Sequence, residues 1–222
     1  YDVARPGVVA IYLTGSLPAG CGPHDVAIAL VGKLFKSGYV KNKVMEFVGP
    51  GIASLRQDTR NAIDAMTTET TCLSSIWETD ETTYRFLAVH GRAADYKKLA
   101  PADLAYYDGV VEVDLSAIRP MIALPMHPSN AFTIEELNAN LEDILHACEQ
   151  DVQKLIGRKD VSLDLCSKIE NGKLRVDQGV IAGCAGGLYD SIYEAASILK
   201  GHTGGCGDYA LSVYPGSQPI MM

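Results

Sequence analysis

The stretch Val8-Val9-Ala10-Ile11-Tyr12-Leu13 decides the fold of this 222-residue chain. It is a continuous apolar run, and such runs are typical of strands that are buried on both faces of a parallel sheet. A helix start follows at Gly22-Pro23-His24-Asp25, because proline suits the first helical position and aspartate favours the first turn. We predict that this helix runs to about Lys36 and ends at Gly38.

Strand patterns and helix patterns alternate along the rest of the chain, which predicts an α/β layered architecture. In the first half, strands are predicted at residues 44–48 and 110–114, a helix at 79–89 and a capping box at 133–136. A further helix is capped by Ser54 and carries Asp58 and Arg60 on its polar side. The second half carries strands at 174–182 and 209–214 and a helix at 190–200. We place a boundary in the polar stretch 150–159, between one α/β subdomain at residues 1–155 and a second at 156–222.

Composition excludes several classes of function. A net charge of −8 argues against a nucleic-acid-binding surface, and no apolar run is long enough to span a membrane. The six cysteines include no Cys-x-x-Cys pair, so neither a zinc knuckle nor a thioredoxin-type site is indicated. Scattered cysteines in an acidic chain fit a reducing cytoplasm. Because the chain starts at Tyr1 rather than Met, we expect a segment of a longer protein.

Cys184 is the first candidate site residue. It lies in Gly-Val-Ile-Ala-Gly-Cys-Ala-Gly-Gly, residues 179–187, between a predicted strand and a predicted helix. A helix N-terminus favours a thiolate, which suits a nucleophile or a metal-cluster ligand. The residues alone leave open a small buried side chain in a tight turn.

Glu46 is the second candidate. It lies among apolar neighbours near the carboxyl end of a predicted strand, where ligands gather in open α/β sheets. A buried carboxylate must be paired or hydrogen-bonded, whereas one on an edge strand can face water, and the pattern alone allows both.

Three other segments attract notice but favour structural interpretations. They are the hydroxyl-rich stretch 66–77 with Glu69 and Cys72, His127 between two prolines, and the glycine-rich stretches 183–187 and 204–207. Closely spaced hydroxyl side chains more often form hydrogen bonds within a tight loop than bind a substrate. Neither glycine stretch matches a phosphate-binding fingerprint.

Six segments in order resemble the aconitase family of iron–sulfur hydro-lyases. The segments are Tyr12-Leu13-Thr14-Gly15 with Gly22-Pro23-His24-Asp25-Val26, Glu46-Phe47-Val48-Gly49-Pro50-Gly51, Met66-Thr67-Thr68-Glu69 with Ser74-Ser75-Ile76-Trp77, His90-Gly91-Arg92, Tyr107-Asp108 through Val113-Asp114-Leu115-Ser116 to Arg119-Pro120, and Gly179-Val180-Ile181-Ala182-Gly183-Cys184. The resemblance covers most of the chain and implies the layered α/β/α sandwich of the aconitase iron–sulfur domain, from its second subdomain to the start of its third.

The resemblance also implies roles for the two candidates. Cys184 is similar to one thiolate ligand of a [4Fe–4S] cluster, and Glu46 to a glutamate that lines the active site near the labile iron. Ser74 and Ser75 we assign only to loop structure. The other two cluster ligands and further catalytic groups of the family lie in segments that this chain lacks. Ala185-Gly186 replaces the usual Thr-Asn after the cysteine, which puts citrate specificity in doubt.

We therefore expect the parent protein to dehydrate a hydroxy-polycarboxylic acid of the citrate or isocitrate type reversibly at a [4Fe–4S] cluster. Alternatives are a dehydratase of another hydroxy acid, such as isopropylmalate or homocitrate, and a non-catalytic RNA-binding protein. A third alternative is an enzyme with Cys184 as nucleophile, for which His202 is the histidine nearest in sequence. The expected partners are the acid substrate and the missing domains, with no nucleic acid and no membrane. Because a cubane cluster needs several thiolates, we expect this chain alone to hold no cluster and to be inactive.

Overall fold

A computed structural model describes residues 2, 4–161, 163–202 and 210–217. The described strands are β1 (Val8–Thr14), β2 (Val44–Val48), β3 (Ser74–Trp77), β4 (Gly109–Asp114), β5 (Met121–Ala123), β6 (Ala131–Thr133), β7 (Ile169–Glu170), β8 (Lys173–Leu174), β9 (Gln178–Ile181) and β10 (Ala210–Val213). The described α-helices are α1 (Pro23–Leu34), α2 (Gln57–Met66), α3 (Glu81–Val89), α4 (Ile134–Ala139), α5 (Leu141–Ile156), α6 (Gly183–Gly186) and α7 (Tyr189–Leu199).

The centre of the fold is a parallel four-stranded sheet in the order β3-β2-β1-β4. The apolar run that opens the sequence lies in its interior, and Val9, Ile11 and Leu13 are fully buried. They pack with apolar residues of α1 and β2 in one core cluster. Each such side chain contributes about 1.5–3 kcal/mol on burial, so this strand organises the core. The predicted α/β architecture is confirmed.

The two faces of the sheet differ in exposure. The register places Ile76, Glu46, Ala10 and Val110 side by side across the four strands, on the face opposite the buried row. On this face Tyr12 is 41%, Ile76 40% and Val110 56% exposed. Glu46 therefore lies on a half-open, mainly apolar surface.

The helix after β2 begins later than predicted. Ser54 is no N-cap, because its hydroxyl donates to the Gly51 carbonyl oxygen at 2.7 Å within the short 3₁₀ helix Pro50–Ser54. The α-helix starts at Gln57. Arg60, predicted on the polar side, is 1% exposed, so that prediction was wrong for this residue, whereas Asp58 is partly exposed.

The second half departs from prediction at two places. The expected strand 174–182 is split into β8 and β9, with Asp177 between them paired to Lys168 and Arg175. The polar stretch 150–159 is helical as far as Ile156, where α5 ends, and the division at residues 155 and 156 stays a prediction. The strand expected at 209–214 appears as β10, paired in parallel with β9, while Tyr209 lies outside the described residues. Within the described part of the chain, no helix combines the length and apolarity needed to cross a bilayer.

Candidate functional site

The turn after β2 brings the chain close to the end of β1. Gly49 has φ of 104°, and a Cβ on it would lie 2.6 Å from the Leu13 carbonyl oxygen. A Cβ on Gly51 would lie 2.9 Å from the Leu13 carbonyl carbon and the Thr14 nitrogen. Because side chains at these two positions would push β1 and β2 apart, the Gly-Pro-Gly sequence is needed where the strands end.

Glu46 is half-buried two residues before the end of β2. The hydroxyl oxygen of Tyr107 is buried beside it and makes no hydrogen bond of ordinary geometry within the described structure. Burial first, and then the charge and proximity of Glu46 together with Glu78, raise the pKa of Tyr107. The site therefore pairs an acidic group with a phenol that stays protonated at neutral pH.

The hydroxyl-rich stretch after α2 forms a structural hydrogen-bond network, but Ser74 and Ser75, which we assigned to loop structure, lie in β3, paired with β2. The Ser75 hydroxyl and the Trp77 indole N–H both donate to Asp64 Oδ1, at 2.5 and 3.0 Å. Thr67 Oγ1 lies 3.0 Å from Ser75 Oγ. These bonds fix β3 against the end of α2 and leave no reactive hydroxyl among them.

His127 also has a structural environment. Its ring stacks on Phe35 with centroids 3.9 Å apart, and its Nδ1 accepts the backbone N–H of Ser129 at 3.1 Å. Glu69 lies 3.6 Å from its Nε2. The predicted structural turn agrees with these contacts.

Cys184 lies exposed in α6, the short helix that follows β9. Gly183 before it has φ of +84°, and Gly187 after it packs so tightly that a Cβ would lie 2.8 Å from the Gly216 nitrogen. The glycines therefore allow the turn to fold tightly while the thiol remains accessible.

Cys184 differs from the other described cysteines in its sulfur contacts. Each of the other four thiols faces a backbone carbonyl oxygen: Cys21 that of Ile118, Cys72 that of Thr67, Cys148 that of Pro125 and Cys166 that of Glu142. Within the described ranges, the Cys184 sulfur has no hydrogen-bond partner, and no histidine is bonded to it. A thiol without a base is a poor nucleophile, so the geometry favours a ligand over the alternative that invokes His202.

The turn that carries Cys184 is attached to the first helices of the sheet domain. Arg56 pairs with Asp190 at 3.1 Å and with Glu194, both on α7. The Asp190 backbone N–H donates to Asp58 Oδ2 at 3.2 Å. Burial raises the pKa of Asp190, Arg56 opposes the shift, and Asp58 and Glu194 add to it. Since α2 begins beyond the carboxyl end of β2, Cys184 lies toward the edge of the sheet at which open α/β folds bind their ligands.

The unusual pair Ala185-Gly186 has a packing role. Ala185 is buried, and a Cβ on Gly186 would lie 3.8 Å from the ring of His24, in ordinary contact. Protein packed around the ring lowers the pKa of His24, with Asp25 opposing the shift, although part of the ring remains exposed. The surface beside the thiol thus holds a largely neutral imidazole rather than hydroxyl and amide side chains.

The two candidates are placed on different parts of the domain. Glu46 lies on the open sheet face, whereas Cys184 lies beside the N-termini of α1 and α2. No hydrogen bond joins the two side chains in the portion of the chain described. Cys206, in the second glycine-rich stretch, lies outside that portion.

A [4Fe–4S] cluster fits the residues present only in part. Cys184 offers an exposed, unpartnered thiol of the kind that a cluster ligand requires. Among the described residues, the group of three side chains that could hold a metal ion lies elsewhere, at His146, Glu149 and Cys166. The remaining thiolates would have to come from other parts of the protein.

Comparison with known proteins identifies the family. The model of the aconitase family (aconitate hydratase) matches residues 1–222. The 2,3-dimethylmalate dehydratase large subunit of Eubacterium barkeri is 28% identical over 88% of this chain and 38% of its own length. The 3-isopropylmalate dehydratase large subunits of Lachnoclostridium phytofermentans and Thermoanaerobacter sp. are 27% and 29% identical, each over 98% of this chain and 43% of its own length. The chain thus spans about two fifths of the curated relatives it matches.

Proposed function

Because the chain belongs to the aconitase family, we propose that it is part of the large subunit of a hydro-lyase that dehydrates an alkyl-substituted malate. The match of the family model to all 222 residues supports the hydro-lyase part of this proposal, and the relatives named above support the alkylmalate part. A small carboxylic acid is the proposed substrate, and a small subunit is the proposed partner, since the relatives named above are large subunits.

The alkylmalate substrate replaces the citrate-type substrate that the sequence predicts. The relatives named above act on 2,3-dimethylmalate and 3-isopropylmalate, and none of the three is an aconitate hydratase. The Ala185-Gly186 pair beside Cys184 agrees with this choice, because it offers no polar side chain for a further carboxylate.

Glu46 is proposed to position the hydroxyl group that leaves the substrate. An ionised carboxylate is acceptor-only, so Glu46 can hold an O–H group by accepting its proton in a hydrogen bond. The half-buried setting strengthens such a bond relative to water. Tyr107 lies beside the same carboxylate, and a hydrogen bond from its phenolic O–H would fix the orientation of Glu46.

Cys184 is proposed to be one ligand of a [4Fe–4S] cluster, which supplies a Lewis acid for the substrate oxygens when it is bound. The chain's own contribution is to present the thiolate. Gly183, with its positive φ, allows the tight turn that carries Cys184, and Arg56 holds α7 against α2.

The test uses the full polypeptide that contains this chain, with its small subunit, reconstituted anaerobically with iron and sulfide. Iron–sulfur absorbance and hydration of alkylmaleates and cis-aconitate are measured for the parent, Cys184→Ser, Glu46→Gln and the control Cys72→Ser. We expect Cys184→Ser to lose absorbance and turnover. We expect Glu46→Gln to keep the absorbance and to lose about 10²–10⁴-fold in turnover, and Cys72→Ser to keep both.

The outcomes separate the parts of the proposal. A coloured parent that hydrates cis-aconitate better than any alkylmaleate would overturn the substrate class. Absorbance that survives Cys184→Ser would overturn the ligand role, and unchanged turnover in Glu46→Gln would overturn the positioning role.

A further inference from the structure

Three side chains that can ligate a metal converge on the middle of α5. His146 and Glu149 lie three residues apart on one face of this helix. Cys166 begins the 3₁₀ helix Cys166–Lys168, which folds back against α5. One ligand atom from each residue lies within 4.8 Å of the others. We propose that His146, Glu149 and Cys166 bind a zinc-type divalent cation that ties the segment after α5 to this helix.

Glu149 is already oriented for this role. The Cys166 backbone N–H donates to Glu149 Oε1 at 3.1 Å, and the side chain is only 15% exposed. Its second oxygen lies 3.9 Å from His146 Nδ1. One carboxylate oxygen is thus anchored to the backbone, while the other faces the proposed site.

His146 has a neighbour that can select its tautomer. The Gln150 amide nitrogen lies 2.9 Å from His146 Nε2, and rotating this amide by 180° places its oxygen there. With the amide oxygen turned toward the ring, Gln150 accepts the Nε2–H and leaves the Nδ1 lone pair for the metal. Because the His146 side chain is 64% exposed, its ring can move without disturbing the core.

The donor set selects the class of cation. One imidazole nitrogen, one thiolate and one carboxylate suit zinc, whereas magnesium and calcium prefer oxygen ligands throughout. In a tetrahedral site of this kind, ligand atoms are about 3.3–3.5 Å apart, so the side chains must close by about 1 Å. A water completes the coordination.

The charges balance when the cation is divalent. Cysteine binds a metal as the thiolate, so the cation replaces the proton of the Cys166 thiol, which passes to solvent. The thiolate and the Glu149 carboxylate then carry two negative charges against two positive charges.

This site is independent of the proposed hydro-lyase, because it shares no residue with Glu46 or Cys184. Its test is Co²⁺ binding to the full polypeptide, purified without a cluster and freed of metal by a chelator. A thiolate-to-cobalt charge-transfer band in the near ultraviolet reports the Cys166 sulfur directly. Cys166→Ser, His146→Ala and Gln150→Ala are compared with the parent and with Cys72→Ser as the control.

We expect Cys166→Ser to bind one Co²⁺ fewer than the parent and the control, with a matching loss of band intensity, and we expect Zn²⁺ to displace that cobalt. We expect Gln150→Ala to weaken binding of this Co²⁺ by about tenfold and His146→Ala to weaken it further. Equal Co²⁺ stoichiometry and equal band intensity in the parent and Cys166→Ser overturn the proposal. If Cys166→Ser does not fold, the exposed variants Gln150→Ala and His146→Ala provide the test. Unchanged Co²⁺ affinity in both of them also overturns the proposal.

Discussion

Arg60 shows at the residue scale how one buried charge organises the carboxyl edge of the sheet. Its guanidinium donates to both carboxylate oxygens of Asp80, at 3.0 and 2.7 Å, and to the carbonyl oxygens of Leu55 and Ile52. Asp80 in turn caps α3 by accepting the N–H groups of Thr82 and Thr83. The turn after β2, the start of α2 and the start of α3 therefore depend on one side chain.

We expect Arg60→Met to lower the free energy of unfolding by about 3 kcal/mol, because it leaves a partly buried carboxylate and two carbonyl groups without their donor. Urea denaturation of the purified protein measures this change. The matched control is Arg85→Met, which removes an exposed pair with Glu81 and should cost less than about 0.5 kcal/mol. Equal losses in the two variants would contradict the assigned role.

Asp80 gives a pH-dependent prediction. Burial favours the neutral form of Asp80. Hydrogen bonds from Arg60 and from the Thr83 and Thr82 amides outweigh this effect and hold the pKa of Asp80 below its ordinary value of 3.8. The unfolded state then binds more protons near this pH, so the stabilisation is complete above the ordinary pKa and is lost as pH falls through the folded one.

The test compares the free energy of unfolding of the parent and Asp80→Asn from neutral pH into the acid range. The parent's advantage should be constant at neutral pH and should shrink below about pH 4. A difference that stays constant through the acid range would show that the Asp80 charge is not responsible.

The environment of Arg60 could not be predicted from its own neighbourhood. The helix pattern places it among polar residues, and only the folded chain brings Asp80, twenty residues away, to its guanidinium. Glu46 is similar, since the sequence marks a carboxylate in a strand but not the Tyr107 hydroxyl that lies beside it. By contrast, the Thr133–Glu136 capping box was predicted and confirmed because all its partners lie within three residues.

At the scale of elements, the docking of α7 on α2 positions the turn that carries Cys184. Two ion pairs from Arg56 and one hydrogen bond to Asp58 hold the start of α7, and α6 packs beside it. Since Arg56 is 54% exposed, the two ion pairs together contribute about 1 kcal/mol.

We therefore expect Arg56→Ala to speed hydrogen exchange of α7 amides by about fivefold, which corresponds to that free energy. Amides of β1 should not change, because they lie in the sheet core. Lys154→Ala, which removes an exposed pair with Asp151 on α5, is the control and should leave α7 unaffected. Protection of α7 that is unchanged in Arg56→Ala would mean that apolar packing alone holds this helix.

Element boundaries were predictable where the signal is local. β2 was predicted with its observed bounds, because an apolar run ends at Gly49-Pro50-Gly51. The hairpin of β7 and β8 was missed, although Asn171-Gly172 is a hairpin signal and both residues have positive φ. The late start of α2 could not be read from the sequence, since Ser54 satisfies the cap rule and yet bonds backward to Gly51.

At the scale of the whole molecule, the sheet face that carries Glu46 leaves apolar side chains exposed to solvent. Tyr12, Ile76 and Val110 present apolar side chains around the half-buried Glu46. An apolar surface that surrounds a carboxylate is typical of a face that another part of the protein covers. Covering it would also exclude water from Glu46 and strengthen the hydrogen bonds it accepts.

Residues 1–222 prepared alone should therefore self-associate through this face. We expect sedimentation velocity to show concentration-dependent association and a hydrophobic dye to bind, and both effects should fall in the double variant Ile76→Thr, Val110→Thr. The control is Leu155→Thr, which removes a 71% exposed apolar side chain from α5, away from the sheet. If the control reduces association as much as the sheet variant does, the contact does not lie on the sheet face, and Glu46 is not enclosed by covering that face.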